Sequence, residues 1–468
     1  MKRLVLLILL AGFAMPAASQ TWTYDGTLPS DTLRRGTTGA YVADVHGLAV
    51  DASGNVWVQS HRPIENITLT EDLQINSTVV TSGSDLAVTG LYCLKPDGTQ
   101  CAFSPLLTLK DGSGANVDTL AIFYRGVDSA TGNKKYETMT GRGMSASPDG
   151  KTIYASFGSI LYAINAADGT KVGSRDTEFG TSATSPGVDA NGNVYLTAVL
   201  SGRPGVVYSA DLSREVEQFD AAVGGISRAM DVSADGLTVI APRFTLNATL
   251  MYTRNDLFSS FGAPDTVLRG LAPESIAFHP TNGRVYIESG SPARIEANND
   301  AFGTSYTPLV WYGFNVSDLT AATPNPAPVD SIVWASTEFQ RALAFSPDGM
   351  TAYAGGFDSG LGLAVYTFSE TTAITQREEL PTGIAVHQNA PNPFSGETTI
   401  TFELTQAGAV TLAVYDLLGR EVAVLVDDVL PSATFDATFD ASNLPTGTYV
   451  YRLTTEVGSA TGAMTVLR

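Results

Sequence analysis

A strand–turn–strand pattern that occurs six times is the feature that most constrains the fold of this chain. Each copy has apolar residues alternating with small or polar ones, then a tight corner ending in glycine, then a second alternating run. The copies lie at 46–58, 142–154, 184–195, 228–239, 274–286 and 341–353. Alternation with period two buries one face of each strand, and Pro-Asp-Gly and Ala-Asn-Gly corners suit hairpin turns. The pattern predicts an all-β fold built from antiparallel hairpins.

The spacing of the copies predicts how these hairpins are arranged. The corner glycines are Gly54, Gly150, Gly192, Gly236, Gly283 and Gly349. Successive glycines are 96, 42, 44, 47 and 66 residues apart, and a four-stranded propeller blade repeats at about 40–45 residues. We therefore predict a six-bladed β-propeller, with polar insertions at 60–83 and 320–329 in the two long gaps. A seventh blade near 120–132 is the alternative.

The corners also carry a family resemblance. Ser-Pro-Asp-Gly-Lys-Thr-Ile-Tyr at 147–154 and the related sequence at 346–353 resemble the corners of secreted β-propellers of the YVTN, NHL and SMP-30-like types. The resemblance covers about 20–370 and implies a fold rather than a function. In such a ring, residues 22–24 are expected to complete the last blade beside 363–368, because ring closure removes the exposed sheet edge.

The residue that opens the innermost strand of a blade lies near one mouth of the central channel. The six copies place the following residues there: His46, Arg142, Thr184, Arg228, Glu274 and Arg341. Three arginines in one ring are unexpected in a chain of net charge −20, and a guanidinium suits carboxylate or phosphate. One hypothesis is a site for a small anionic or carbohydrate ligand, with His46 and Glu274 as acid/base or orienting groups. The interpretation that we favour is that the arginines pair with carboxylates of neighbouring blades, such as Glu274, and close the channel.

No motif in the chain names a reaction. Six-bladed lactonase-like propellers hold a divalent metal with Glu, Asn and Asp at the channel mouth, whereas here only Glu274 stands in such a place and arginines take other positions. The corner that contains Asp189, Asn191 and Gly192 resembles part of a calcium loop but lacks the later acidic ligands, so we interpret it as a turn. We expect no metal and no cofactor. A non-catalytic binding or interaction module is favoured, and the alternative is a lactonase- or lyase-like enzyme acting on a sugar-derived acid or lactone.

Two cysteines flank a further corner. Closing a hairpin on Pro-Asp-Gly at 96–98 pairs Cys93 with Cys101 across neighbouring strands. We predict a disulfide, which an oxidising compartment would permit. Two reduced strand cysteines are the alternative.

The N-terminus predicts export. Lys2 and Arg3 precede an apolar run at 4–14, and small residues at 17 and 19 suit cleavage after Ser19. This predicts a signal peptide at 1–19 and a mature chain that begins at Gln20. No later stretch has the length of a transmembrane segment, and the acidic balance argues against nucleic acid as a partner.

The last 82 residues do not contain the strand–turn–strand repeat. After a polar linker at 371–386, alternating segments between 387 and 468 predict a small Ig-like β-sandwich. The motifs at 388–394, 414–422 and 444–453 resemble the type A C-terminal sorting domain of the type IX secretion system of Bacteroidetes-like bacteria. The residues that carry the resemblance are Asn389, Pro391, Asn392, Pro393, Phe394, Gly419, Gly447 and Tyr449. It implies Sec export, interaction with the type IX machinery, and release or attachment at the cell surface.

Overall fold

The chain divides into two compact units, one of Trp22–Phe368 and one that includes Ser369–Arg468. The computed structural model describes residues 21–28, 34–35, 40–41, 44–61, 63–76, 78–120, 122–200, 202–219, 225–337, 339–357, 363–369, 374–377, 385–404, 406–416, 419–455 and 458–467. The predicted signal peptide at 1–19 lies outside these residues, as does most of the predicted linker at 371–386.

The first unit is built almost entirely from short strands. In its first third they are β1 (Thr21–Thr27), β2 (Arg34–Arg35), β3 (Ala40–Tyr41), β4 (Val45–Val50), β5 (Val56–Ser60), β6 (Glu65–Thr68), β7 (Leu73–Ile75), β8 (Thr78–Val80), β9 (Asp85–Val88), β10 (Leu91–Leu94), β11 (Thr108–Lys110), β12 (Asn116–Thr119), β13 (Ile122–Val127) and β14 (Lys134–Thr138). The middle third contains β15 (Gly141–Ala146), β16 (Thr152–Phe157), β17 (Ile160–Asn165), β18 (Lys171–Asp176), β19 (Gly187–Val188), β20 (Val194–Leu196), β21 (Gly205–Tyr208), β22 (Glu215–Phe219), β23 (Asp231–Val232), β24 (Thr238–Arg243), β25 (Ala248–Thr253) and β26 (Asp265–Val267). The last third contains β27 (Ile276–Phe278), β28 (Arg284–Glu288), helix α1 (Pro292–Phe302), β29 (Val310–Asn315), β30 (Asp330–Val333), β31 (Gln340–Phe345), β32 (Thr351–Gly356) and β33 (Ala364–Ser369).

Six antiparallel sheets of this unit share one plan. From the inside outward their strands are β4-β5-β10, β15-β16-β17-β18, β19-β20-β21-β22, β23-β24-β25-β26, β27-β28-β29-β30 and β31-β32-β33-β1. The six innermost strands contact one another in the order β4, β15, β19, β23, β27, β31 and back to β4. Sheets arranged radially around such a ring form a β-propeller.

Aromatic side chains on the second strands fill the spaces between the sheets. The fully buried members of this set are Trp57, Tyr154, Tyr195 and Tyr286. Each keeps a polar partner: the indole N–H of Trp57 donates to Asp51 at 3.1 Å, and the hydroxyl of Tyr195 donates to Asp189 at 3.0 Å. Buried Trp and Tyr need such partners. The corner carboxylates therefore anchor the core as well as the turns.

The prediction for ring closure is confirmed. Strand β1 lies beside β33, as the outermost strand of the sheet that β31 opens. The indole N–H of Trp22 reaches both the hydroxyl of Tyr286 and a carboxylate oxygen of Asp330, each at 3.1 Å. The N-terminal strand thus joins the last sheet to the one before it.

The long gap between the first two copies is occupied by additional strands. Strands β11, β12, β13, β14, β7 and β8 form one six-stranded sheet, and β6 pairs with β9. The predicted insertion at 60–83 therefore contains strands, and its apolar residues Leu69, Leu73 and Ile75 pack with Ile122 into a small separate core. The segment 120–132, the alternative for a seventh blade, belongs to the six-stranded sheet. No described strand of that sheet lies in the ring of six.

The second unit contains two four-stranded antiparallel sheets around one apolar core. Its strands are β34 (Ile374–Arg377), β35 (Ala385–Val386), β36 (Glu397–Glu403), β37 (Gly408–Tyr415), β38 (Glu421–Leu430), β39 (Thr434–Asp440), β40 (Gly447–Thr455) and β41 (Gly458–Val466). The sheet orders are β34-β39-β36-β35 and β38-β37-β40-β41. The described part of the predicted linker forms two strands of this unit. Strand β34 pairs with β39, and β35 pairs with β36.

Candidate functional site

A cavity of about 860 Å³ occupies the centre of the propeller ring. Five of the six residues predicted to share one mouth line it: His46, Arg142, Arg228, Glu274 and Arg341. We call the end of the cavity that these five residues form the basic mouth. The innermost strands place them there, since His46, Arg142 and Arg341 are each the second residue of β4, β15 and β31.

Thr184 does not join the other five. Its side chain is fully buried, and its hydroxyl oxygen accepts a hydrogen bond from the backbone N–H of Thr197 at 3.1 Å. The neighbouring Ser185 lines the cavity instead. Thr184 thus stabilises the pairing of two neighbouring segments of its own sheet. Alignment of the repeats alone does not distinguish this position from one that faces the cavity.

Glu274 holds two of the three arginines. Its Oε2 atom lies 2.8 Å from Nε of Arg228 and also contacts Nη1 of Arg341. These contacts are ion pairs. Oε2 of Glu274 and the Nε atoms of Arg228 and Arg341 form no hydrogen bond of good geometry. Burial lowers the pKa of Arg341 to about 9, and the charge of Arg228 contributes in the same direction. The alternative in which arginines pair with a neighbouring carboxylate thus describes two of the three.

A second carboxyl group, which the repeat alignment did not single out, lies behind Glu274. Glu288, at the end of β28, is 3% exposed, and its Oε2 accepts the backbone N–H of Glu274 at 2.8 Å. Burial raises the pKa of Glu288 well above its ordinary value, which favours the neutral acid. The only sequence signal is its place at the end of β28, a strand that is buried on both faces from Val285 to Glu288.

Arg142 has no such partner. It donates no hydrogen bond and forms no ion pair with any residue that the structure describes, and its Nε is buried. Burial, followed by the charge of Arg228, lowers its pKa. Because a guanidinium stays protonated in proteins, the basic mouth carries three positive charges against the single carboxylate of Glu274.

His46 lies beside these arginines with both ring nitrogens buried and without a hydrogen-bond partner. Its ring stacks on His61 at 5.3 Å between centroids and packs against Phe357 at 5.5 Å. Burial, and then the charges of His61 and the nearby arginines, hold the pKa of His46 well below its ordinary value. The neutral imidazole therefore keeps one donor and one acceptor, neither of which is paired.

The rim of the basic mouth carries more arginine and aromatic side chains. The guanidinium of Arg228 lies 5.4 Å from the ring centre of Phe244, and that of Arg294 lies 4.9 Å from the same ring. Arg294 belongs to helix α1, which no pattern in the sequence predicts. The chain therefore adds its helix at the charged end of the cavity.

The opposite end of the cavity has the other sign of charge. Its Asp-Gly corners contribute Asp149 and Asp235, whose carboxylates accept hydrogen bonds from serine hydroxyls two residues before them. Between the two ends lies Asp231, which accepts backbone N–H groups of Val232 and Phe278 at 2.9 and 2.8 Å. Burial raises the pKa of Asp231 to about 7.

Metal-ligand geometry is not present at these positions. Among the described residues, no group of three or more His, Cys, Asp or Glu side chains is arranged to hold a metal ion. At the corner that resembled a calcium loop, the carboxylate of Asp189 accepts the backbone N–H groups of Asn191 and Asn193, each at 2.9 Å. This is the bonding of a turn.

A disulfide joins Cys93 to Cys101, whose Cα atoms are 5.4 Å apart. The backbone N–H of Cys101 donates to the carbonyl of Cys93 at 2.8 Å, so the hairpin closes in the predicted register. Both cysteines are buried beside Trp57 in the core between the first two sheets.

The motif residues of the tail belong to the framework of the second unit. Asn389 is buried, its backbone N–H donates to the hydroxyl of Tyr451 at 3.1 Å, and its amide donates to Thr398 at 2.8 Å. Asn392 accepts the backbone N–H of Thr465 at 2.9 Å, and Phe394 is in the core. Pro391 lies between Asn389 and Asn392, and Pro393 lies between Asn392 and Phe394. Gly419 lies in a turn and has φ +78°, and Gly447 and Tyr449 belong to β40.

Comparison with known proteins identifies the tail. Residues 390–466 match the family of the secretion system C-terminal sorting domain, so the tail is a sorting domain of the type IX secretion system, which directs a protein out of the cell. No curated protein matches the chain. No helix in the described residues is long and apolar enough to cross a membrane.

The solved structures that are similar to the chain share little sequence identity with it. A chain of the mitotic checkpoint complex shares 12% identity over 78% of this chain and 98% of its own, with a TM-score of 0.43. The Pan2 WD40 domain of Neurospora crassa shares 12% identity over 75% and 96%, with a TM-score of 0.41. The Cps50 (Swd1) β-propeller domain of Myceliophteria thermophila shares 9% identity over 74% and 100%, with a TM-score of 0.39. The propeller assignment rests on the ring of sheets and not on these likenesses.

Proposed function

We propose that this protein is an exported, non-catalytic binding module, which takes a small carboxylate-bearing ligand, such as a sugar acid, at the basic mouth of its propeller. The observation that carries the proposal is Arg142, a half-buried guanidinium on the cavity wall that no described residue pairs or hydrogen-bonds. The route of export is Sec cleavage after residue 19 followed by type IX secretion, which delivers the module to the cell surface or the medium.

A ligand carboxylate would compensate the cost of burying Arg142. A charge removed from water without a partner is expensive, and a carboxylate restores the balance through two parallel N–H···O bonds to the guanidinium fork. The excess of positive charge at the basic mouth would also attract anions to a protein that is acidic overall.

His46 supplies the neutral part of the recognition. His46 lines the same cavity as Arg142, and both of its ring nitrogens lack a hydrogen-bond partner. A neutral imidazole can both donate to and accept from a hydroxyl group. A hydroxyl beside a carboxylate is the pattern of a sugar acid. This is the reason for preferring that class to a simple fatty acid.

Titration calorimetry with gluconate, glucuronate and galacturonate tests the proposal. We expect the native protein to bind at least one of them and Arg142→Gln to lose about tenfold or more in affinity, since hydrogen bonds to charged groups are strong. Arg125→Gln is the matched control, because it removes an arginine from the outer surface of the propeller unit. Equal affinities for the native protein and Arg142→Gln would reject the site.

An enzyme acting on a sugar-derived acid or lactone is the second candidate function. The observation that favours it is Asp231, a carboxyl group of the same cavity whose pKa of about 7 suits proton transfer at neutral pH. Incubation with sugar lactones and uronates, followed by NMR of the products, decides between the two. Turnover that Asp231→Asn abolishes would establish the enzyme; binding without turnover supports the binding module.

A further inference from the structure

We propose that Glu274 is an internal ligand of the basic mouth, which occupies two of the three arginines and so limits the site to one carboxylate. This inference rests on the proposed function and names a specificity-determining residue for it. Its starting point is that one oxygen, Oε2 of Glu274, contacts both Arg228 and Arg341. A side-chain carboxylate therefore already stands where a second anionic group of a ligand would bind.

The position of Glu274 is set before any ligand arrives. Its backbone N–H donates to Oε2 of Glu288, and the backbone N–H of Glu288 donates to the carbonyl of Ser275 at 3.1 Å. These two bonds tie the start of β27 to the end of β28. Since burial favours the neutral form of Glu288, it orients Glu274 without adding a second negative charge.

Both arginines also contact aromatic rings. Arg341 lies over the ring of Phe357 at 4.6 Å, and Arg228 lies over Phe244 at 5.4 Å. Such cation–π contacts persist when an acidic partner is lost. Replacing Glu274 with the isosteric glutamine should therefore leave two arginines in place and available.

One guanidinium fork then remains for the ligand, that of Arg142. A planar fork holds one carboxylate through two parallel hydrogen bonds, so the native site should select monocarboxylates. Doubly charged anions should be rejected, because their second charge would meet Glu274.

The test measures two probes, glucuronate as the monocarboxylate and glucarate as the matched dicarboxylate, on the native protein, Glu274→Gln and Glu217→Gln. We expect the native protein to prefer glucuronate and Glu274→Gln to bind glucarate about tenfold or more tightly than the native protein does. Glu217 pairs with the mostly buried Arg254 at 2.8 Å in an outer strand. Glu217→Gln thus controls for the loss of any arginine-paired carboxylate and should leave both affinities unchanged.

A second variant keeps the inference open to refutation if Glu274→Gln does not fold. In the native background, Arg228→Gln should weaken glucuronate binding much less than Arg142→Gln does, because Arg228 is engaged by Glu274. Equal losses in the two arginine variants, or unchanged glucarate affinity in a folded Glu274→Gln, would overturn the internal-ligand role. If the native protein binds neither of these probes and neither gluconate nor galacturonate, the proposed function itself fails, and this result is distinct from the other two.

Discussion

Asp231 shows how a single buried group makes stability depend on pH. Its two backbone N–H partners favour the carboxylate, but burial outweighs them and raises the pKa to about 7 from 3.8. Between these values the native state binds more protons than the unfolded chain does. The free energy of unfolding therefore falls, on account of this group, as the pH rises through that window.

We expect Asp231→Asn to remove this contribution. The native protein should lose stability relative to the variant by a few kcal/mol between pH 4 and pH 7, and the difference should level off above pH 7. Urea unfolding of both proteins across this range measures it. A difference that does not change with pH would contradict the raised pKa.

Close approach of the inner strands depends on glycine. Gly143 in β15 has φ +129°, and a Cβ atom there would clash with the side chain of Ser185, which lies just before the next inner strand, β19. A larger residue at this point would therefore push two sheets of the ring apart.

Gly143→Ala should lower the free energy of unfolding by about 2 kcal/mol or more, through backbone strain and overpacking together. Gly132→Ala separates the two effects, because Gly132 also has a positive φ, +77°, but has open space around it. Denaturant unfolding should show a clearly smaller loss for Gly132→Ala. Similar losses would mean that the close approach adds nothing.

At the scale of elements, strand β1 contributes more to the stability of the ring than its position at the edge of a sheet suggests. Trp22 hydrogen-bonds across to Asp330 and packs on Phe345 and Phe368 at ring distances of 5.5 and 5.0 Å. Tyr24, two residues further on, is 42% exposed and touches Tyr366 only from outside.

We expect Trp22→Ala to destabilise the propeller by about 3 kcal/mol, the ordinary cost of removing a large packed aromatic side chain. Tyr24→Ala, on the same strand but facing outward, should cost less than about 1 kcal/mol. Thermal unfolding of the two variants compares them. A loss for Tyr24→Ala as large as that for Trp22→Ala would show that β1 acts only through its backbone pairing.

At the scale of the whole molecule, each of the two compact units has apolar cores of its own. The tail is a sorting domain, and no residue of the basic mouth belongs to it. The sorting domain and the proposed binding site therefore belong to different units.

Deletion of 387–468 should abolish export and leave the propeller folded in the periplasm. Immunoblots of periplasm, cell surface and medium, with circular dichroism of the purified truncated chain, test both halves of this expectation. Undiminished secretion of the truncated protein would refute the role of the tail.

Local patterns in the amino-acid sequence were enough to predict the repeat, and with it the propeller, the strand that closes the ring and the sorting domain. Each of these is written in local signals: period-two alternation, Asp-Gly corners, and motifs a few residues long. The sequence also placed Arg142, Arg228, Glu274 and Arg341 at one mouth, because the repeats share a register.

The three-dimensional structure was needed to show which of those charged groups pair with one another. That Glu274 takes two arginines and leaves Arg142 to the cavity depends on side-chain distances between different sheets. The burial of Glu288 and the departure of Thr184 from the ring depend on hydrogen bonds within their own sheets. Helix α1 was missed because its apolar positions are too few to give a helical pattern. Local patterns specify strands and turns, whereas the pairing of charges is settled where distant segments meet.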